Sequence, residues 1–69
     1  MVTTPQKDET LLRLPDVRRM TGLGRSQIYA LAKQGRFPRP VKLSERCSAF
    51  LESEVRAWIA ERVAASRAA

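Results

Sequence analysis

Met20-Thr21-Gly22-Leu23-Gly24-Arg25-Ser26-Gln27-Ile28-Tyr29-Ala30-Leu31-Ala32-Lys33-Gln34-Gly35-Arg36-Phe37-Pro38-Arg39-Pro40-Val41-Lys42-Leu43 is the stretch whose reading decides the fold. Gly22 suits the left-handed residue that closes a helix, and Leu23 is placed to pack inward from the turn. Ile28, Leu31 and Ala32 then recur at i, i+3, i+4, which predicts a helix over about Arg25–Gln34 with one buried stripe. Gly35 is its stop. Phe37-Pro38-Arg39-Pro40 must be extended, because proline disfavours helix in the residue before it. Val41-Lys42-Leu43 alternates apolar and basic residues, as a half-buried strand does.

Upstream, Leu14-Pro15-Asp16-Val17-Arg18-Arg19-Met20-Thr21-Gly22 reads as a short first helix. Proline is tolerated in a first turn, Asp16 favours the positive end of the helix dipole, and Leu14, Val17 and Met20 make one apolar stripe. Downstream, Cys47-Ser48-Ala49-Phe50-Leu51 is the return strand of a hairpin over 41–51. The intervening Ser44-Glu45-Arg46 lacks the Asn-Gly or Gly-Gly of a tight turn, so a loop of about three or four residues is expected. A third helix over about Ser53–Ala65 carries Leu51, Val55, Trp58, Ile59 and Val63 on one side, with Trp58 expected as the main core anchor. Met1–Thr10 has no periodicity and reads as a flexible tail, 11–66 as one domain, and 67–69 as a frayed end.

The fold class expected is mainly α with a small β-hairpin, in the order of a winged helix-turn-helix. Two helices joined by a short glycine-containing turn form the unit whose second helix enters the major groove of DNA. A hairpin directly after that helix makes a wing.

Charge agrees with this. Thirteen basic and seven acidic residues leave a net charge of +6. Six of the basic residues lie between Arg25 and Arg46, where Glu45 is the only acid, so +5 of that charge sits in one segment. Such focusing attracts a polyanion. In the first turn of the second helix, Arg25, Ser26 and Gln27 are candidates for base edges: Gln27 for adenine, Arg25 for guanine or phosphate. Ser26 and Gln27 can equally satisfy the helix N-terminus. Tyr29 can donate to a phosphate or lie over the hairpin at the core edge. Lys33 and Arg36 are placed to clamp phosphates, Arg39 and Lys42 flank the start of the wing, and Arg46 at its tip can reach backbone or minor groove. Arg18 and Arg19 can support the backbone contact.

Other classes are disfavoured. One cysteine, Cys47, and no histidine leave neither a disulfide nor a zinc site, and Cys47 reads as a small buried filler. There is no histidine base, no glycine loop for phosphates and no acidic cluster, so no enzyme, cofactor, metal or small-molecule substrate is expected. No apolar run approaches the ~20 residues of a membrane span. The expected location is the bacterial cytoplasm, at the nucleoid through DNA.

Leu14-Pro15-Asp16-Val17, Thr21 to Tyr29, Gly35 to Leu43 and Glu54-Val55-Arg56-Ala57-Trp58-Ile59 together resemble the AlpA family. These are small prophage-associated transcriptional regulators related to excisionases and to MerR-type winged helices. The resemblance runs from about Leu12 to Arg62, and Phe37-Pro38-Arg39-Pro40-Val41-Lys42-Leu43 strengthens it most. It implies a winged helix-turn-helix, double-stranded DNA as partner, and a role in activating or repressing mobile-element genes. The alternatives it leaves open are an excisionase-like factor that bends DNA and recruits an integrase, and an adapter that binds another protein or a second copy of itself. Three positions depart from the family pattern: Gly24 replaces a capping serine, Ala30 a frequent cation, and Ser44-Glu45-Arg46 a glycine-containing wing tip.

Overall fold

The computed structural model describes residues 9–68. Within them the chain forms β1 (Leu11–Leu12), α1 (Leu14–Thr21), α2 (Arg25–Lys33), β2 (Val41–Ser44), β3 (Cys47–Leu51) and α3 (Glu52–Ala68). The strands make one antiparallel sheet in the order β1-β3-β2, with Leu11 opposite Leu51 and Val41 opposite Ala49. Three helices around a small sheet give a mostly helical, winged-helix-like domain; β2, expected to be half-buried, is exposed along its length.

The first two helices each end by a device written in the sequence. Gly22 adopts φ 76° and donates its N–H to the Arg18 carbonyl at 2.8 Å, a left-handed cap. Gly35, also at φ 76°, donates to Ala32, and Arg36 donates to Leu31 at 2.8 Å. That pair of bonds is a Schellman motif, which turns the chain sharply from α2 into the extended segment before β2.

The core is built from Leu12, Val17, Ile28, Ala32, Phe37, Phe50 and Val55, with Leu14, Met20, Leu23, Leu31, Trp58 and Ile59 packed around it. No polar or charged residue among those described is buried. Phe37 is the hinge of the packing: its ring meets Phe50 edge-on at 5.9 Å and Trp58 at 4.8 Å. The extended Phe37–Pro40 segment is thereby nailed down at its first residue.

Several expectations need correction. Trp58 is not the central anchor; Phe50, Ile28, Val17 and Val55 fill the interior and Trp58 is half-buried at its edge. Its indole N–H requires a partner and finds the Arg36 carbonyl at 2.6 Å, which holds the ring at the surface. Val63 continues the stripe on paper yet is 42% exposed, because the globule ends before the helix does. Cys47 is half-buried rather than a core filler. The hairpin loop is shorter than expected: Ser44 pairs with Cys47, leaving Glu45-Arg46 as a two-residue turn. No described non-glycine residue has positive φ, so this is not one of the left-handed turns that match strand twist. Instead the register slips between Lys42 and Ser44, and Leu43 becomes the extra residue of a bulge that restores the twist.

β1 was not anticipated. Met1–Asp8 of the expected tail and Ala69 of the expected frayed end lie outside the described residues. Glu9 and Thr10, grouped with that tail by composition, are fastened to α3. The Thr10 carbonyl accepts from Glu52 N–H at 2.8 Å, and the Glu9 carboxylate accepts from the Ser53 N–H at 3.2 Å and hydroxyl at 2.7 Å. Glu9 thus caps a helix that starts 43 positions downstream, and those hydrogen bonds pull its pKa below the ordinary value of 4.5.

Candidate nucleic-acid interface

The turn between α1 and α2 sets how α2 is presented, and it is hydrogen-bonded at every step. Thr21 Oγ1 donates to the Val17 carbonyl and accepts the Leu23 N–H at 3.2 Å; the Gly24 N–H is accepted by Gln27 Oε1 at 2.9 Å. Together with the Gly22 bond, three consecutive amides are satisfied locally. Such a turn holds one angle between its helices.

With Ile28 and Ala32 buried, helical periodicity turns Ser26, Ala30 and Lys33 directly outward, Tyr29 to one flank and Gln27 to the other. Ala30 at the centre of this face lets the α2 backbone approach a surface closely. Arg25, Ser26, Gln27, Tyr29 and Lys33 are all exposed, Tyr29 by 43%. Gln27 has one atom already committed. Its carbonyl oxygen accepts the N–H of the N-cap Gly24, the half of a capping box that does not need the serine, while its amide NH2 remains available.

The remaining candidates fall on two sides of the domain. Arg46 joins Tyr29, Arg13 and Ser48 around a notch between the start of α1 and the hairpin, with Leu14, Pro15 and Phe50 completing its lining. Arg36 and Arg39 instead border a groove against α3, facing Glu54, Trp58 and Glu61. Lys42 reaches over its own turn, donating to the Glu45 carbonyl at 2.7 Å, and so braces the wing tip. Ion pairs among the described residues are confined to Arg19 with Asp16 and Arg56 with Glu52. None of Arg25, Lys33, Arg36, Arg39, Lys42 or Arg46 forms an ion pair there, although Arg36 and Arg39 share their groove with Glu54 and Glu61. Arg13 is the residue that sequence reasoning missed; the signal was a cation placed directly before the Leu14-Pro15-Asp16 helix start.

No group of three or more His, Cys, Asp or Glu side chains converges to hold a metal among the described residues. No helix among them is long and apolar enough to cross a membrane.

Comparison with known proteins agrees with the geometry. The family model for the prophage CP4-57 regulatory protein (AlpA) matches residues 10–63. An uncharacterized protein of Enterobacteria phage P4, ORF88, is 48% identical over 56 residues. That match covers 81% of this chain and 64% of the phage protein, so the chain spans just under two thirds of its relative's length.

Proposed function

Because the chain belongs to the AlpA family of phage-type regulatory proteins, we propose that it binds duplex DNA sequence-specifically, with α2 in the major groove and the hairpin as a wing. The observation that carries this reading is that Arg25, Lys33 and Arg46 are free of ion pairs among the described residues and stand on or beside a helix-turn-helix whose turn is locked by its own hydrogen bonds.

In this reading the N-terminal turn of α2 meets base edges. Arg25 reaches guanine or phosphate, Ser26 either kind of group, and the free Gln27 amide donates to an acceptor on a base. Lys33 positions the domain by phosphate contact, with Lys42 at the base of the wing, whereas Arg36 and Arg39, which border the groove against α3, add to the positive field rather than to the contact. Arg46 approaches the backbone or the minor groove from the turn. Glu45 beside it opposes the same phosphates, which makes the wing a weaker contributor than its cations suggest. A regulator working this way acts in the bacterial cytoplasm, on the chromosome or a phage genome.

Selection of bound duplexes from a random pool, followed by titration of the winner between 50 and 200 mM salt, tests the reading. About five neutralised phosphates would give a log–log slope near −4.5. Recovery of no consensus and a flat salt response would rule it out.

A further inference from the structure

Resting on the DNA-binding reading above, we infer that the notch between α1 and the hairpin seats a single phosphodiester of the strand that separates the major groove from the neighbouring minor groove. The notch is lined by Arg13, Leu14, Pro15, Tyr29, Arg46, Ser48 and the buried Phe50, and no acid is among its walls. Two guanidinium groups and two hydroxyls therefore stand beside the exposed ring of Pro15. That combination suits a deoxyribose lying on Pro15 with its phosphate among the donors. The donors are uncommitted. Neither arginine belongs to an ion pair among the described residues, and the hydroxyls that do find partners there are those of Thr21 and Ser53.

Position argues the same way. One sugar-phosphate strand runs between adjacent grooves of B-DNA. A domain with α2 in one groove and a hairpin tip in the next must straddle that strand with whatever lies between them. Tyr29 belongs to α2, Arg46 and Ser48 belong to the hairpin, and the notch is the space they share. Arg13 enters it from the start of α1 without belonging to either reading element. It is held there because its carbonyl anchors the first turn, accepting from Asp16 at 2.9 Å and Val17 at 3.1 Å. Arg13 is thus a phosphate-positioning residue, and Tyr29 acts through its hydroxyl rather than as a core-edge ring.

The test uses the full chain with two duplexes, the one recovered by selection and one of random sequence. Wild type, Arg13→Ala, Arg13→Lys, Tyr29→Phe and the Arg13→Ala/Tyr29→Phe double variant are titrated from 50 to 200 mM salt. Arg67→Ala, which removes the same charge at the far end of α3, is the control. Arg13→Ala should weaken both duplexes about tenfold at low salt and make the slope shallower by about 0.9. Arg13→Lys should restore the slope, and Tyr29→Phe should lose several-fold affinity with the slope unchanged. The double variant should lose less than the product of the two, because both groups act on one phosphate. Wild-type affinity and slope in Arg13→Ala, or strict additivity, would overturn the notch while leaving DNA binding intact. Failure of the wild type to bind either duplex would overturn both.

Discussion

Gln27 serves two masters, and substitution can separate them. Its Oε1 accepts the Gly24 N–H at 2.9 Å in an exposed setting, so water can replace it at modest cost. Losing the cap in Gln27→Ala should therefore cost about 0.5–1 kcal/mol, the low end for such residues. For a domain of this size that lowers Tm by about 2–8 °C. Gln27→Glu keeps an acceptor in the same place and adds negative charge at the positive end of α2, worth about 0.3–1 kcal/mol in the stabilising direction. DNA responds with the opposite sign. The carboxylate has no amide to donate, meets phosphates unfavourably, and prefers the cytosine amino group where the free Gln27 amide seeks an acceptor. Affinity for the wild-type site should fall by about tenfold or more, while the melting temperature holds or rises. Calorimetric melting and fluorescence-anisotropy titration on one protein preparation read the two effects. A Gln27→Glu variant that binds the original site as tightly as wild type would reduce Gln27 to a cap. One that melts as low as Gln27→Ala would show that the cap does not act as described.

Other substitutions probe the frame. Trp58→Phe keeps the ring against Phe37 but loses the bond to the Arg36 carbonyl, an exposed group that water can serve; about 1 kcal/mol, or 4–8 °C in Tm, is expected by thermal melting. Gly22→Ala meets no atom within 4 Å, so its cost is the left-handed backbone alone, about 1–2 kcal/mol by denaturant titration, and Gly22→Asn should recover part of it. Glu9 has a folded pKa below its unfolded value, so the stability it contributes is present above about pH 4.5 and is lost as pH falls through the folded value. Wild type and Glu9→Ala should accordingly differ in denaturant midpoint at pH 7 and converge in stronger acid; a gap that persists there would contradict the linkage.

What was legible in the sequence followed from local rules. Gly22 and Gly35 end helices because the chain needs φ 76° at those points, and the stripe of Ile28, Leu31 and Ala32 could be read from spacing alone. Depth could not. Val55, Trp58 and Val63 share one helical face, yet one is buried, one half-buried and one exposed, since periodicity reports direction and not where the globule ends. β1 escaped because two residues carry no period and their partners lie far along the chain. The bulge at Leu43 escaped for a related reason: a missing glycine says which turn is disfavoured, not which strand residue will absorb the twist. For the candidate site, the concentration of cations was countable in advance. Their division between the notch beside α1 and the groove beside α3 required the fold, as did the inclusion of Arg13.

The pairing of Leu11 with Leu51 also fixes an order of events. Leu11 and Leu12 precede their partners by about forty positions, and at 5–20 residues per second about 2–8 s pass before the partner strand is made. In that interval α1 and α2 can dock through contacts local in sequence, whereas α3 has no cap until Glu9 and Thr10 arrive at its first turn. Closing the fold therefore fastens an earlier segment onto a later one. The helix-turn-helix receives Phe50 and Val55, its partners in the core, only at that same stage.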